Sequence, residues 1–514
     1  MTLGLSAVLI LGLAAIVYGA VIPERWRRWV LLIGSIIAVY WLQAPLAPRF
    51  ADFVLPTLTI GLTIAGWWLS RPQGRALAVG HYEGDDQSAP PGKQLRRNGV
   101  VYIRDDWFTL IVVITIILAL SLFRYVDPAF RLTASRPPSP LNVAFGIAEA
   151  GLILAALAIL LVRLPQRLAL NGAIGLLVAL FILMKWPPAL TTIATWWRGF
   201  TGQDISLGAP SDLAWLGFSY VIFRLIHTLR DRQAGILPDL PLNAYMTYVL
   251  FAPSFVAGPI DRAERFAADF LRLPQLIGLE ASRWGDGLFR IGEGLFKKFV
   301  LADLLAQGLS LTPALADQTQ NPLLLWLLLI GYGLRLYLDF GGYTDIAIGL
   351  GILFGIRLPE NFNRPYSRSN ITAFWQSWHM TLSNWARFYI FTPLSRALLR
   401  RRKPGQPTAG LSPTMIVLGS HLATMVVIGL WHGITWTFFI WGVWHATGLF
   451  IHKQWSDRTR KWYRGLQDRP WPRRVWAFTG WSLTFVYVML GWVWFLMPTP
   501  AAAFQTFAGL FGWR

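Results

Sequence analysis

The sequence predicts an all-α polytopic membrane protein, with about 12 transmembrane helices and additional re-entrant or in-plane segments. Two observations of composition point to this class: apolar residues make up 54% of the 514-residue chain, and charged residues only 14%. A soluble protein carries about a quarter charged residues. The third observation is that apolar runs of about 20 residues, the length that crosses a bilayer as a helix, recur from one end to the other.

Each such run is predicted to be one spanning helix. The first run has no basic segment before it and no small-residue cleavage site after it, so we expect a retained helix and not a signal peptide. The runs are 3–22, 29–46, 52–70, 107–123, 141–163, 167–185, 212–227, 284–305, 322–340, 412–430, 433–452 and 475–497.

Three further intervals, 240–260, 341–357 and 371–392, are apolar but interrupted by proline, glycine or polar residues. Non-helical backbone at membrane depth persists only where protein or a water-filled cavity satisfies its polar groups. These intervals are therefore predicted to be re-entrant or in-plane segments that line an internal cavity.

Charge and cysteine content exclude several function classes. The net charge is +20, but the basic residues lie in short loops between apolar runs. Such loops normally face the cytoplasm, so the charge indicates a membrane orientation and not a nucleic-acid partner. With twelve helices, both termini are predicted to lie outside. The chain has no cysteine, which excludes disulfides, thiolate nucleophiles and thiolate-bound metals.

The most informative stretch is 331–392, where polar and ionisable residues stand between apolar segments. Such side chains are costly at membrane depth, so a cluster of them is a functional-site hypothesis. Asp339 and Asp345 flank a Gly-Gly pair that is expected to break the helix, and Arg335–Asp339 is expected to form an internal ion pair. The polar residues are Arg335, Asp339, Asp345, Asn361, Asn363, Arg364, Gln376, His379, Asn384 and Arg387.

His432 lies at the predicted turn between two apolar runs, toward the outer half of the membrane. A desolvated neutral imidazole can take a proton from a hydroxyl group. The alternative is a structural histidine that packs on tryptophan and hydrogen-bonds a carbonyl. The residue pattern alone leaves these two interpretations about even.

His379 lies in a tryptophan-rich segment, 374–385, that is predicted to be amphipathic and in-plane on the cytoplasmic side. At helical spacing, Trp378 and Trp385 would share one face with Thr381 between them. Interfacial anchoring is the alternative to a functional role, because tryptophan-rich helices often serve it.

The remaining membrane histidines give little support for a metal site. His421, His445 and His452 lie on two helices without an acidic residue at suitable spacing, so no metal is expected. His227 ends a helix and is interpreted as structural.

Several separate motifs together resemble the membrane-bound O-acyltransferase (MBOAT) family, in particular its bacterial branch of alginate O-acetyltransferases and teichoic acid D-alanyltransferases. The likeness is strong over about 212–452, and over the first 200 residues it is one of hydropathy only. The motifs lie at 257–260, 294–303, 336–350, 359–366, 374–383, 429–433 (Gly-Leu-Trp-His-Gly) and 441–445.

The resemblance implies a catalytic core over 212–452, built around a central tunnel. N-terminal helices over 1–211, with a cytoplasmic loop at 71–106, would precede it, and a basic loop and last helix over 453–514 would follow. In this family the counterpart of His432 is catalytic and that of His379 assists it. We further predict that Asn361, Trp378, Asn384 and Trp431 contact substrate.

One departure from the family pattern concerns substrate contacts. The alginate branch has an acidic residue after the counterpart of Arg387, whereas this chain reads Arg387-Phe388-Tyr389. A local carboxylate partner for Arg387 is therefore missing from the motif.

The expected reaction is transfer of an acyl group, most simply acetyl, from a cytoplasmic thioester to a hydroxyl of an extracytoplasmic polysaccharide or partner protein. The donor would be acetyl-coenzyme A or an acyl carrier thioester, with no bound cofactor. The expected location is the cytoplasmic (inner) membrane, with an extracytoplasmic esterase-like acetyltransferase or a cytoplasmic carrier protein as partner.

Three alternatives stay open at this point. Two are enzymatic: D-alanyl transfer to teichoic acid, and acylation of a lipid. The third is a transporter that uses the polar cavity as a path. The absence of an evident inverted repeat and the presence of the Trp-His-Gly motif argue against transport.

Overall fold

The computed structural model describes residues 3–71, 102–162, 164–276, 280–401, 412–466 and 468–513. Throughout these ranges every regular element is a helix, which confirms the all-α class. The predicted cytoplasmic loop at 71–106 lies largely outside the described residues. The described chain forms two compact units, Met1–Ile291 with Ile346–Leu358, and Gly292–Asp345 with Pro359–Arg514.

The described residues of the first half of the chain form twelve α-helices. In chain order they are α1 (Leu5–Val21), α2 (Arg27–Trp41), α3 (Ala51–Leu69), α4 (Tyr102–Ser121), α5 (Pro140–Val162), α6 (Gln166–Leu183), α7 (Pro187–Phe200), α8 (Phe218–Gln233), α9 (Leu242–Leu250), α10 (Ala252–Phe255), α11 (Ala263–Arg272) and α12 (Ala281–Leu295).

The second half begins with a π-helical turn, Phe296–Ala302, and contains a second one at Arg387–Phe391. Its α-helices are α13 (Asp303–Ala306), α14 (Pro313–Gln318), α15 (Pro322–Leu353), α16 (Ile371–Trp375), α17 (Met380–Ala386), α18 (Thr392–Arg401), α19 (Pro413–His432), α20 (Trp436–Arg464), α21 (Pro470–Leu496) and α22 (Pro500–Leu510).

Seven helices of the described chain are long and apolar enough to cross a membrane: Ala51–Leu69, Asp105–Tyr125, Pro140–Leu157, Gln166–Leu183, Pro322–Leu353, Pro413–His432 and Pro470–Leu496. This agrees with a multi-pass membrane protein, while the total of about 12 spans stays a prediction. The first predicted span forms a helix of only 17 residues, α1, and the second forms a helix of 15, α2.

Several helices were missed by the apolar-run criterion, among them α7 and α22, because neither of these contains a long apolar run. α7 starts at the Pro187-Pro188 pair, and α22 starts at Pro500 behind Thr499. The Thr499 side chain accepts a hydrogen bond from Ala502 N at 3.2 Å, as expected of an N-cap. Proline at the first helical position is a start signal in both cases.

The expected break at Gly341-Gly342 is wrong, because α15 runs without interruption through both residues. A glycine inside a helix costs only about 1 kcal/mol relative to alanine, which packing can offset. A Cβ on Gly342 would lie 2.7 Å from Gly294 O and 2.8 Å from Lys298 N. The Gly-Gly pair therefore does not end the helix. It lets another stretch of backbone approach the helix closely.

The expected Arg335–Asp339 ion pair is also wrong, because Asp339 pairs with Lys298. The Lys298 side chain is only 8% exposed, so its ammonium group needs a counterion. Asp345, two turns further along α15, is paired with Lys297 at 2.7 Å. Both carboxylates thus neutralise lysines of the Phe296–Ala302 turn.

The 371–392 interval consists of short pieces, as predicted for a segment that does not cross the membrane. The expectation that Trp378 and Trp385 share one helical face is wrong, because α17 begins only at Met380. The left-handed conformation of His379 separates the two helices, so helical spacing does not extend across it.

Candidate active site

His379 is held at the start of α17 in a backbone conformation that non-glycine residues rarely adopt. Its φ is 41° and its ψ is 53°, in the left-handed region. Such a conformation costs of order 1–3 kcal/mol and persists only where the surroundings impose it. The local fold therefore fixes the direction in which the imidazole leaves the backbone.

The residues that impose this conformation belong to the 361–363 segment. Met380 N donates to Asn361 O at 2.9 Å, and Asn363 N donates to Ser377 O at 3.0 Å, one bond on each side of His379. Oδ1 of Asn361 accepts from Thr381 N at 3.2 Å and from Thr381 Oγ1 at 2.6 Å. These four bonds hold His379 between two anchored neighbours.

The side chain of His379 is enclosed by aromatic rings and is only 4% exposed. Its ring centroid lies 4.8 Å from that of Phe340 and 6.1 Å from that of Trp431. Neither ring nitrogen has a hydrogen-bond partner among the described residues. Burial lowers the pKa of His379, which lies outside the seven spans, to about 3, so the imidazole is neutral at physiological pH.

His432 is the last residue of α19, at the turn into α20, as the sequence predicted. Unlike His379 it is partly exposed. The centroid of its ring lies 4.4 Å from that of Trp431 and 4.7 Å from that of Phe495. The Trp441 ring follows at 5.8 Å. The imidazole is therefore walled by aromatic rings but retains a solvent-accessible side.

Small residues bring α19 and α20 close enough to form this turn. A Cβ on Gly429 would lie 2.3 Å from Phe438 O, and a Cβ on Gly442 would lie 2.7 Å from Met425 O. Glycine at such points lets helix backbones approach closely in membrane proteins. Phe438, which the close approach brings over the turn, stacks on His432 with the planes at 29°.

Trp431 joins the two histidines into one site. The centroid of its ring lies 6.1 Å from that of His379 and 4.4 Å from that of His432. The two histidines lie 53 positions apart in the sequence, yet both contact this one indole. This arrangement can place a reacting group between a buried neutral imidazole and a more accessible one.

The predicted substrate-contacting residues fall into different settings. Asn361 and Trp431 lie next to His379, as described above. Trp378 is 5% exposed and surrounded by the rings of Tyr337, Phe362, Tyr366, Phe374 and Trp492, so its environment is that of a packing residue. Asn384 lies on the exposed side of α17, and Arg387 places its guanidinium group over the ring of Phe388 at 5.4 Å.

Three other histidines considered as metal ligands have separate neighbours. His421 lies beside Phe391 at 4.9 Å, His452 lies 2.8 Å from Thr372 Oγ1, and His445 is enclosed by tryptophans. One group in the described chain has the geometry to hold a cation: His227, Asp231 and Glu264. The guanidinium group of Arg262 already pairs with both of its carboxylates.

Several residues of the site were missed by the sequence reasoning. Phe340, Phe438 and Phe495 contact the two histidines, and each reads in the sequence as an ordinary apolar residue of a helix. No local signal distinguishes them. The resemblance could have indicated Phe340, which lies inside the 336–350 motif.

Comparison with protein families gives one match over most of the chain. The family model described as "MBOAT, membrane-bound O-acyltransferase family" matches residues 173–497. This range contains both histidines, Asn361 and the whole α19–α20 hairpin.

Curated relatives include proteins of three named activities. "Probable alginate O-acetylase AlgI" of Azotobacter vinelandii is 32% identical over 58% of this chain and 53% of its own length. "Teichoic acid D-alanyltransferase" of Streptococcus thermophilus is 32% identical over 56% of this chain and 69% of its own length. "Peptidoglycan O-acetyltransferase" of Helicobacter pylori is 32% identical over 52% and 46%, respectively. The chain spans about half the length of most of these relatives.

Proposed function

Because this chain belongs to the membrane-bound O-acyltransferase family, we propose that it moves an acyl group from a thioester donor to an acceptor hydroxyl, with His432 as general base. The observation that carries the proposal is that His379 and His432 both contact the ring of Trp431. An acyl transfer needs a group that removes the hydroxyl proton and polar groups that hold the carbonyl.

The accessibility of His432 and the burial of His379 favour His432 as the base. A general base works best when its pKa is near the working pH. Burial lowers the pKa of His379 to about 3, which makes it a weak proton acceptor. His432 is partly exposed, so an acceptor hydroxyl can reach it.

The reaction balances with no further reagent. His432 removes the proton of the acceptor hydroxyl, and the oxygen forms a bond to the carbonyl carbon of the thioester. The carbon–sulfur bond then breaks, and the leaving thiolate takes the proton from the His432 imidazolium. The products are an ester on the acceptor and a free thiol. The chain has no cysteine, so no acyl-cysteine intermediate can form on it.

His379 and Asn361 are suited to hold the carbonyl group. A neutral imidazole donates one hydrogen bond, and both nitrogens of His379 are without a partner in the described part of the chain. Asn361 is fully buried, and its Oδ1 is fixed by Thr381, so its Nδ2 must point elsewhere. That nitrogen also has no described partner. Both groups can donate to the oxygen that gains negative charge.

The donor is proposed to approach from the cytoplasm. The basic stretch over 453–474 has eight Lys and Arg residues against two Asp, and basic loops normally face that side. An anionic donor such as acetyl-coenzyme A, or the acidic face of a carrier protein, fits this charge. The acceptor is proposed to be an extracytoplasmic polysaccharide, reached directly or through an esterase-like partner, at the inner membrane.

The names of the relatives support two candidates for the transferred acyl group, and we propose acetyl as the first candidate. The alginate and peptidoglycan relatives carry O-acetylation in their names. D-alanyl transfer is the second candidate, since the teichoic acid relative is matched over 69% of its own length.

The experiment supplies labelled donors to proteoliposomes that contain the purified protein. Acetyl-coenzyme A, acetyl carrier protein and D-alanyl carrier protein are compared, with acid-hydrolysed polysaccharide and teichoic acid as acceptors. Label in acceptor that mild alkali releases identifies an ester. Transfer from an acetyl donor alone supports acetyl transfer, and transfer from the D-alanyl carrier alone supports the second candidate.

Uptake of acceptor into the vesicles without any acyl donor, together with no ester formation, would overturn the enzymatic proposal in favour of transport. The same assay on the His432→Ala variant tests the assignment of the base.

A further inference from the structure

Three aromatic rings form a closed triangle next to the site, and the proposed reaction uses none of them. The centroids of Trp375 and Trp441 are 5.6 Å apart. The ring of His445 lies 5.1 Å from Trp375 and 4.7 Å from Trp441. These rings, which we call the Trp375–Trp441–His445 triangle, come from α16 and α20.

Every nitrogen of this triangle is buried without a hydrogen-bond partner among the described residues. His445 is 0% exposed, Trp441 1% and Trp375 8%. The unpartnered atoms are Nε1 of Trp375, Nε1 of Trp441, and both Nδ1 and Nε2 of His445. A buried donor or acceptor without a partner costs free energy. Four such atoms in three touching rings require a common explanation.

One water molecule can satisfy three of these four atoms. Water accepts two hydrogen bonds and donates two, and buried waters typically bond about three polar groups. The two indole N–H groups are donors only, whereas a neutral imidazole offers one acceptor nitrogen. A water at the triangle can accept from both indoles and donate to His445.

Packing keeps His445 in place for this role. A Cβ on Gly491 would lie 2.8 Å from Nε2 of His445. The glycine therefore lets the imidazole lie directly against the backbone of α21. On the other side, Trp441 also contacts the His432 ring at 5.8 Å, so the triangle and the proposed base share one indole.

We propose that Trp375, Trp441 and His445 form a buried site that binds an ordered water molecule, and that this site positions Trp441 beside His432. His445 is thus a positioning residue, which acts on the proposed base through the Trp441 ring. The water site is inferred from the burial, the mutual proximity and the unpartnered nitrogens of the three rings. Its effect on rate rests on the proposed function, so the test has a readout that does not depend on activity.

The test replaces His445 by Gln, Asn and Phe. Gln and Asn keep an amide near the position of Nε2 and Nδ1, respectively, while Phe keeps the ring shape and removes both nitrogens. His421→Gln and His421→Phe are the matched control, since His421 also contacts an aromatic ring and lies outside the triangle. The midpoint of thermal unfolding in detergent, kcat and KM for the donor are measured for each variant.

We expect His445→Phe to lower the unfolding midpoint and to reduce kcat by about tenfold, the effect of one unsatisfied buried group, with little change in KM. At least one of the two amide variants should keep a kcat within about threefold of that of the unsubstituted protein. The two control variants of His421 should have the same unfolding midpoint and the same kcat. A cryo-EM map that resolves waters should show density within hydrogen-bond distance of the three side chains.

Equal behaviour of the Phe and amide variants in unfolding and in kcat would overturn the proposal. That result would mean that the triangle is held by ring packing, with the N–H groups facing aromatic rings. A dry triangle in a map that shows other buried waters would overturn it as well. If the unsubstituted protein transfers no acyl group, the unfolding data and the map still decide on the water site, and only the proposed function fails.

Discussion

His379 and His432 contact the same tryptophan, but the chain holds them in different ways. His379 is at a helix start, in a left-handed backbone conformation. Hydrogen bonds from Met380 N to Asn361 O and from Asn363 N to Ser377 O fix the backbone on either side of it. His432 ends a long helix and is partly exposed. The first is rigid and buried, and the second has an accessible side.

Under the proposed function, this difference assigns a separate task to each histidine. Burial without a charged partner keeps the His379 imidazole neutral, so it can donate a hydrogen bond but is a poor base. In the proposed reaction, partial exposure lets the acceptor hydroxyl reach the His432 ring. Substitution of either histidine tests this difference, and the expected losses of kcat differ in size.

The largest effect is expected for His432→Ala. Loss of a general base removes typically 10²–10⁴-fold in rate, so kcat should fall by about 10³-fold. Folding should be retained, because the ring is partly exposed and lies at the end of a helix. The measurement is ester formation in proteoliposomes, with size-exclusion profile and unfolding midpoint as folding controls.

His421→Ala is the control for removing a membrane histidine as such. Its side chain contacts Phe391 and does not reach either histidine of the site. If His432→Ala keeps more than a tenth of the rate, then His432 is not the base.

A smaller effect is expected for substitutions of His379, because a hydrogen-bond donor contributes less than the base. His379→Ala should reduce kcat by about 10²-fold. His379→Asn should lose less, since asparagine donates a hydrogen bond and tolerates the left-handed conformation. The two rates are compared at saturating donor.

Equal loss in the Ala and Asn variants would contradict a donor role for His379. A loss in His379→Ala that exceeds that of His432→Ala would reverse the assignment of the two histidines.

Much of this site could be predicted from short motifs, but its contacts could not. The turn at His432 and the all-α class followed from apolar runs and from the Trp-His-Gly motif. The pairing of Asp339 with Lys298 did not, because the partners are 41 positions apart and Arg335 stood at ideal helical spacing. Residue spacing in the sequence predicts which side chains are neighbours on one helix. It does not predict which side chains of another element will contact them.

Glycine was the residue most easily misread. Gly341-Gly342 was expected to break a helix, whereas Gly342 lies inside α15 where another backbone stretch approaches to within contact. Sequence alone does not distinguish a glycine that bends a chain from one that makes room. His379 is the opposite example. The helical backbone is interrupted there by a left-handed conformation, although the residue type does not predict an interruption.

The buried, neutral state of His379 should also appear as a pH dependence of stability. The ordinary histidine pKa is 6.5, and in the folded chain that of His379 is about 3. Below pH 6.5 the unfolded chain binds a proton that the folded chain does not. The contribution of His379 is therefore fully present above pH 6.5 and is lost as the pH falls toward 3, at about 1.4 kcal/mol per pH unit.

The free energy of unfolding in detergent is measured at pH 7.5, 6, 5 and 4 for the unsubstituted protein and for His379→Gln. The glutamine variant cannot titrate, so its stability should decline less steeply across this range. If the free energy of unfolding depends on pH in the same way in both proteins, then His379 is charged or solvated in the folded protein. The two histidines would then not differ in protonation as described above.

The smallest effect concerns the turn that holds His432. A Cβ on Gly433 would lie 3.0 Å from Cε2 of Phe438, whose ring stacks on the imidazole. Gly433→Ala should therefore displace the Phe438 ring by a few tenths of an ångström and reduce kcat by roughly threefold. The backbone at Gly433 is extended, with φ at 175°, so alanine brings no backbone strain.

Gly419→Ala is the matched control, because a Cβ there meets nothing within 4 Å. It should leave kcat unchanged. Restoration of the rate in the double variant Gly433→Ala/Phe438→Leu, which trades the ring for a smaller side chain, would locate the effect in the contact between Phe438 and the turn. If Gly433→Ala alone removes activity as completely as His432→Ala, then the turn backbone itself contacts the reacting groups, and His432 would owe its role to the turn as much as to its exposure.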